Sequence, residues 1–381
     1  MINQASKHRA LSRNLFSSDS RALFSILFEV LSLSSRLGLS PGEYFSYGFH
    51  RKNRSNIHNY LSAHQHFTAH LSALNNRQNP VLVDKLLFKK LMAEHAIETS
   101  SIIAYTGPGK REDIDFPYVH GDNLLELLQH IDARSFIVKP STGTQGHGIY
   151  LASFSPSMPR PYVVNNKRFT EQEFLAFMKQ SSVGNDTDYL MFEKHISCPP
   201  VLQAISPTAA PNIRIITLKT PDGGVHITGA SVRLGRQGSV TSNAGSGGLL
   251  ACIDQETGVI SHCRTSIYMS GRSVKEHPDT HQPIVGFQMP QWRAVIDLCT
   301  RAAKLLENIN SVGWDVLITD HGPVLLEGND DWDVISKQVF GHGYLSERNR
   351  ALLAEYGLDF GGLTLPKPAL KTFRNAMLGI K

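Results

Sequence analysis

The feature that most constrains the fold is a glycine-rich segment enclosed by two strand-like patterns. The apolar run FIV leads directly into KPSTGTQGHG (139–148), and the run IYL follows it. Glycines leave backbone N–H groups open to an anion, while hydroxyl and ammonium groups add donors and charge. The residues with these properties are Lys139, Ser141, Gly143, Gly146 and Gly148. Because the order differs from a Walker A loop, which opens a helix, we predict a flap between two strands that covers nucleotide phosphates.

A second motif lies near the end of the chain, in VGWDVLIT, DHG and PVLLEGN, which together predict a β-hairpin. Glu327 and Asn329 are two positions apart and therefore project to the same face of their strand. Asp315 can face them from the partner strand. Two carboxylates and an amide oxygen suit Mg²⁺. The alternative is a solvent-facing acidic strand, but an acid behind three apolar residues is poorly placed for solubility alone.

Two cationic residues interrupt apolar strand patterns between these motifs. Arg214 lies in NIRIITL and Arg233 in ASVRLG, on either side of a Pro-Asp-Gly-Gly turn. One such arginine would fit a surface edge strand, whereas two suggest a lined cleft. The loop SNAGSGGL adds Asn243 and glycine N–H groups, which can donate hydrogen bonds to an oxyanion.

Composition excludes several classes of protein. The 381 residues are 41% apolar with a net charge of +5, which predicts two or three folded domains. No apolar stretch is long enough to span a membrane. Four cysteines without a CxxC pair favour a reduced, cytoplasmic compartment. Residues 1–60 hold eight Lys/Arg against three acids, but without a nucleic-acid module we expect no nucleic-acid partner.

The order of the patterns predicts a mixed α/β chain of three parts. Helical patterns over 20–38 and 59–74 indicate a helical N-terminal region, 1–78. Helices and strands then alternate over 79–200, and hairpins dominate 201–381. His66 and His70 have the i, i+4 spacing of a helical metal site, but we expect a solvated helix face because nothing nearby completes a ligand set.

Taken in series, the motifs of residues 80–333 resemble the ATP-grasp superfamily. They are Asp84-Lys85 at the start of a helix, Lys139 before the flap, YLMFEKHI, NIR, the Arg233 strand, NxxxGG and DVL…LLEGN. The similarity is greatest to sugar-transfer-associated ATP-grasp proteins and weaker to glutamate ligases and D-alanine:D-alanine ligases. It implies two α+β subdomains that sandwich ATP, preceded by a helical N-terminal region.

The resemblance also implies a role for each matching residue. Lys85 and Lys139 would bind ATP phosphates beneath the flap of Gly143, Gly146 and Gly148. The adenine would pass the backbone at Glu193, Lys194 and Ile196. Asn212 stands where many relatives place an acid on the ribose. Asp315, Glu327 and Asn329 match the metal ligands, and Arg214, Arg233 and Asn243 would serve catalysis, the last two by steadying the acyl phosphate and the tetrahedral intermediate.

The implied activity is ATP-dependent carboxylate–amine ligation through an acyl phosphate. ATP and Mg²⁺ would be the cofactors, with Mn²⁺ able to substitute, and a small acid and an amine the substrates. A biosynthetic pathway for polysaccharide modification or a secondary metabolite would fit, and relatives are commonly homodimers. Two alternatives stay open. The acidic run 330–333 could serve a phosphotransferase acting on a hydroxyl, and a non-catalytic nucleotide-binding scaffold would need less of the metal set.

Overall fold

The chain forms two compact units. A computed structural model describes residues 12, 14–15, 17–76, 79–120, 123–124, 126–127, 135–143, 148–155, 158, 161–164, 167–181, 189–207, 209–237, 247–268 and 271–360. The larger unit comprises Met1–Arg77, Pro200–Val316 and Gly328–Lys381, and the smaller unit Gln78–Pro199 and Leu317–Glu327. The three consecutive regions expected from the sequence remain a prediction about the chain's organisation.

Short helices occur throughout the described residues. In chain order they are α1 (Leu23–Leu37), α2 (Pro41–Ser46), α3 (Ala63–Gln65), α4 (Leu71–Leu74), α5 (Pro80–Val83), α6 (Lys85–Glu94), α7 (Glu171–Ser181), α8 (Pro200–Ile205), α9 (Trp292–Leu305), α10 (Ile335–Gln338) and α11 (Glu347–Ala354). The first of them shows why the pattern forms a helix. Ile26, Val30 and Leu33 are buried on one face of α1, and Gly38 ends it at a φ of 66°, as the sequence predicted.

The predicted single helix over 59–74 is instead interrupted. A 3₁₀ turn (Ile57–Asn59) precedes α3, and a π-helical turn (His66–His70) separates α3 from α4. The expected solvated face is wrong, because both histidines are fully buried. Their rings stack 5.0 Å apart and lie against Trp332. A π turn widens the helix by one residue, and here it accompanies a histidine pair packed into a core.

The smaller unit contains an antiparallel six-stranded sheet in the order β1-β6-β2-β3-β4-β5. Its strands are β1 (Ile102–Thr106), β2 (Ser135–Pro140), β3 (Tyr150–Phe154), β4 (Tyr162–Val164), β5 (Lys167–Phe169) and β6 (Leu190–Lys194). The predicted return strand after the glycine-rich segment is confirmed, since β3 pairs with β2. Phe136, Val138 and Phe192 form the core with Phe174 of α7.

The second sheet has seven strands in the order β11-β10-β9-β8-β7-β12-β13. They are β7 (Asn212–Lys219), β8 (Val225–Leu234), β9 (Leu249–Ile253), β10 (Ile260–Arg264), β11 (Ser273–Val274), β12 (Ser311–Thr319) and β13 (Gly322–Asn329). Both predicted hairpins, β7–β8 and β12–β13, are present. Residues 317–327 of the second hairpin belong to the smaller unit, where Leu325 bonds to the backbone of Glu98.

The N-terminal helices supply part of the larger unit's core. Tyr44, Phe49 and Tyr60 are buried with Leu250 and Cys252 of β9. Apolar residues of the N-terminal region therefore cover part of one face of the seven-stranded sheet. Among the described helices, none has the length and apolar character needed to cross a membrane.

Candidate active site

Helix α6 carries two lysines into the smaller unit. Asp84 caps the helix by accepting a hydrogen bond from the Leu86 N–H at 2.8 Å, and its other oxygen pairs with Arg111. The cap starts the helix so that Lys85 and Lys89, one turn apart, lie on the same buried side. The predicted start of this helix at Asp84-Lys85 is confirmed.

A buried ion cluster surrounds Glu193 of β6. Its Oε1 lies 2.9 Å from Nζ of Lys139 and 3.0 Å from Nζ of Lys89, and its Oε2 accepts from the Ser100 hydroxyl at 2.9 Å. Burial alone would raise the pKa of Glu193, but the two ammonium groups outweigh it and hold this pKa below its usual value. Two lysines and one carboxylate leave the cluster with a net positive charge, which suits an anion.

Lys85 connects α6 with the glycine-rich segment. Its ammonium donates to the Gly143 carbonyl at 2.8 Å and lies 4.0 Å from Oε2 of Glu327. Burial lowers the pKa of Lys85, an effect that Glu327 partly opposes. The backbone N–H of Lys85 also bonds to the Ser141 carbonyl. The smaller unit thus brings together six of the predicted site residues: Lys85, Lys139, Ser141, Gly143, Glu193 and Glu327.

The described ends of the flap require glycine. Gly143 has a φ of 110° and Gly148 a φ of 74°, both in the region that disfavours side chains. A Cβ on Gly148 would also approach the Pro140 ring at 3.2 Å. The predicted flap residue Gly146 lies outside the described residues, and so does Asn243.

The larger unit gathers a second group of predicted residues around Asp315. Arg214, opposite Asp315 in the β7–β12 pair, donates from Nε at 2.6 Å and from Nη2 at 3.1 Å. Nη1 of Arg233 lies 3.5 Å from the same carboxylate. A Cβ at Gly313 would come within 2.9 Å of Nη1 of Arg214, so glycine there makes room for the arginine. Two guanidinium groups around one carboxylate again leave net positive charge.

The remaining predicted residues occupy the margins. Asn212 stands opposite Arg233 across β7 and β8. The side-chain amide of Asn329 donates to the Gly313 carbonyl at 3.2 Å, which leaves its oxygen directed elsewhere. At the end of β6, the Lys194 N–H bonds to the Ser101 carbonyl. Lys194 is exposed and Ile196 half-buried, while the side chain of Glu193 is committed to the two lysines.

The donor chemistry fits a hard cation. Among the described residues no group of three or more His, Cys, Asp or Glu forms a metal site. The predicted set of Asp315, Glu327 and Asn329 has two carboxylates and one amide oxygen instead, which is the oxygen chemistry that Mg²⁺ prefers. Asp315 accepts hydrogen bonds from Arg214. A carboxylate has about four lone-pair directions, so other directions remain for a cation. Asp315 and Asn329 belong to the larger unit and Glu327 to the smaller one.

Sequence reasoning missed Lys89, and it singled out Asp333 only as part of the acidic run 330–333, not as the start of a helix. Lys89 is the partner that completes the charge cluster, and its only signal is the i, i+4 spacing from Lys85 in an apolar helix. Asp333 accepts from the N–H groups of Ile335 and Ser336 at the start of α10. Burial raises the pKa of Asp333 although Arg214 and Arg233 counteract it. An aspartate two residues before a helix is a known capping pattern, here in D-V-I-S. The helix that follows has only four residues, too few to be recognised from apolar periodicity.

Buried cationic groups surround a glycine-rich segment on one antiparallel sheet, and an arginine–aspartate group lies on another, which agrees with the ATP-grasp fold that the sequence motifs predicted. The family model described as "Sugar-transfer associated ATP-grasp" matches residues 66–352. The chain belongs to this family.

The solved structures that match this chain are distant from it. The VanG D-Ala:D-Ser ligase of Enterococcus faecalis matches with 11% identity and a TM-score of 0.38 over 79% of this chain and 62% of its own. The L-amino acid ligase of Bacillus licheniformis matches with 11% identity and a TM-score of 0.37 over 66% of this chain and 43% of its own. The biotin carboxylase of Campylobacter jejuni matches with 14% identity and a TM-score of 0.40 over 76% of this chain and 48% of its own. The chain thus spans less than two thirds of their lengths, and no curated protein matches it.

Proposed function

We propose that the protein is an ATP-dependent carboxylate–amine ligase. In this reaction a carboxylate oxygen attacks the γ-phosphorus of ATP, ADP leaves, and an acyl phosphate forms. The amine nitrogen then attacks the acyl carbon, phosphate leaves, and the nitrogen loses a proton. Phosphoryl transfer of this kind depends on positioning and charge neutralisation more than on covalent catalysis.

Each unit would supply one part of this chemistry. Lys85 and Lys139 would bind ATP phosphates, with Ser141 and the glycines of the flap donating from above. Glu193 holds the ammonium of Lys139 in place. Arg233, with Arg214 and Asn243, would stabilise the acyl phosphate and the oxyanion of the second step. The adenine would run along Glu193 to Ile196 and the ribose beside Asn212.

A divalent cation would be held by Asp315, Glu327 and Asn329. When bound, Mg²⁺ or Mn²⁺ neutralises phosphate charge. The 4.0 Å approach of Lys85 to Glu327 supports this assignment, because it places a predicted metal ligand beside a predicted phosphate-binding lysine within the smaller unit.

The observation that carries the proposal is the buried group of Lys85, Lys139, Lys89 and Glu193. Burying charge is unfavourable unless it is compensated, yet here two lysines share one carboxylate and a third lies close by. An arrangement with surplus positive charge beside a glycine-rich segment is well suited to bind a polyphosphate.

Phosphorus NMR of the full chain with Mg-ATP and mixtures of small acids and amines tests the proposal. We expect ADP and stoichiometric inorganic phosphate only when an acid and an amine are both present. A new phosphomonoester signal without free phosphate would instead establish the phosphotransferase and direct attention to the acidic run 330–333. ATP binding without turnover across the mixtures would favour the scaffold.

The variant Glu327→Gln tests whether Glu327 is a metal ligand or an acidic residue without a role in metal binding. We expect turnover to fall by at least about 100-fold, because the amide is a weaker ligand for a hard cation. Glu112→Gln, an exposed site in the smaller unit, makes the same change of charge and should keep full turnover. Equal activity of the two variants would contradict the assignment of Glu327.

A further inference from the structure

A basic pocket lies within the larger unit, apart from the residues assigned above. It has a volume of about 310 Å³, and its polar lining comes from both the N-terminal region and strands β10 and β11. The residues that define it are Phe45, His50, Arg51, Arg264, Arg272 and Ser273. Three arginines therefore line one cavity.

Arg264 is a largely buried cation whose partners are all neutral. Its guanidinium donates to three backbone carbonyls, those of Val339 at 2.7 Å, Gly271 at 3.3 Å and Ser266 at 3.4 Å. Burial and the charge of Arg51 lower the pKa of Arg264 to about 10. In the described part of the chain, no carboxylate pairs with any of the three pocket arginines. Because buried charge is costly without an opposite charge, this site favours an anion.

His50 adds a polar atom that has no partner. The residue is 3% exposed, and within the described residues its Nδ1 makes no hydrogen bond. The Phe45 ring packs 5.2 Å from the imidazole and holds it at the pocket wall. Buried polar atoms nearly always have partners, so a buried ring nitrogen without one is an unusual feature of this pocket's wall.

The charges around His50 also favour an anion. Burial, together with Arg51, lowers its pKa to about 4, while the exposed Asp19 acts in the opposite direction. The ring is therefore neutral at neutral pH and can donate one hydrogen bond from whichever nitrogen carries the proton. It can meet an oxyanion without adding to the repulsion among the arginines.

The sheet register separates this pocket from the Asp315 group. Arg264 lies opposite Leu250, and Leu250 lies opposite Arg233. Directly opposed residues in an antiparallel sheet share a face, so the two arginines project to the same side, two strands or about 10 Å apart. Leu250 between them is buried in the core with the N-terminal helices. The two cationic groups are therefore distinct sites on one face.

We propose that the basic pocket binds the phosphate group of a small ligand through residues other than the predicted ATP phosphate contacts. Guanidinium groups match phosphate geometry by donating paired hydrogen bonds, and three of them can neutralise a dianion. The volume exceeds that of a phosphate group alone, which leaves room for an organic part beside Phe45. Inorganic phosphate and a phosphomonoester share the chemistry that the pocket recognises.

Isothermal titration calorimetry of the full chain, with inorganic phosphate and with glucose 1-phosphate, tests the proposal at constant ionic strength. We expect both probes to bind at millimolar concentration or below. The double variant Arg51→Gln/Arg272→Gln should weaken binding by at least about tenfold, since it removes two charged donors. Both arginines are exposed, so the variant should fold. Tighter binding of the ester would identify a phosphorylated metabolite, and equal binding would identify phosphate itself.

Two further variants locate the binding. Arg293→Gln removes an exposed arginine of the same unit and should leave the affinity unchanged. Lys139→Met removes a predicted ATP contact and should likewise retain phosphate binding. The proposal is overturned if neither probe binds, if the double variant binds as tightly as Arg293→Gln, or if Lys139→Met abolishes binding.

Discussion

Glu193 shows how one buried carboxylate can position an ammonium group. It forms ion pairs with the ammonium groups of Lys89 and Lys139 and accepts a hydrogen bond from the Ser100 hydroxyl, all in the interior of the smaller unit. The charge of Lys139 is thereby fixed in place before any substrate arrives. Burial lowers the pKa of Lys89 to about 8.

Replacing Glu193 with Gln should destabilise the smaller unit. The change leaves two buried ammonium groups without an opposite charge, which costs about 3–5 kcal/mol. Urea unfolding measures the loss, and Glu112→Gln, exposed in the same unit, should change stability by less than about 0.5 kcal/mol. Adding Lys89→Met to Glu193→Gln should recover part of the loss. Equal stabilities of the two single variants would contradict the role of the ion cluster.

At the scale of single residues, the sequence indicates which residues are site candidates better than it indicates which side chains surround them. Local motifs predict Lys139, Ser141, Gly143 and Glu327 as site residues, the resemblance to the ATP-grasp superfamily adds Lys85 and Glu193, and all six belong to the smaller unit. The sequence does not predict the burial of Lys89, His66 and His70, because their partners are far away along the chain. His66 bonds to the carbonyl of Trp332, 266 positions along the chain, and no local spacing reports such a contact.

Among the elements, α6 has the clearest dependence on one residue. Asp84 both caps the helix and pairs with Arg111, and the helix it starts carries Lys85 and Lys89. Asp84→Ala removes both interactions and should cost about 1–2 kcal/mol. Asp84→Asn keeps a capping oxygen and should lose less. Thermal unfolding of the two variants distinguishes them, and an alanine variant no less stable than the asparagine variant would refute the capping role.

Elements were predicted from sequence where their cause is local. Periodic apolar residues with a terminal Gly38 gave α1, and the Pro-Asp-Gly-Gly turn between β-branched runs gave the β7–β8 hairpin. The single helix expected over 59–74 is wrong, and its interruption coincides with packing of His66 and His70 against Trp332. Tertiary contacts of this kind override helical periodicity, and they leave no signal in the segment itself.

For the whole molecule, the N-terminal region is a structural part of the larger unit. Phe49 is fully buried and contacts the rings of Tyr44, Tyr47 and Tyr60. Phe49→Ala should therefore lower the free energy of unfolding by about 3–5 kcal/mol. Phe24→Ala, at a side chain that is 86% exposed, is the matched control and should have little effect. Similar unfolding curves for both variants would show that these residues are dispensable to the core.

The path of the backbone between the two units limits how this protein can be rearranged by genetic change. It crosses from one unit to the other after Arg77, Pro199, Val316 and Glu327. Neither unit is encoded by an uninterrupted stretch of the gene, so a premature stop or a single recombination breakpoint cannot release one of them intact. Exchanging one whole unit with that of a relative therefore takes a crossover near each of these four boundaries, so that separate gene segments are replaced at once.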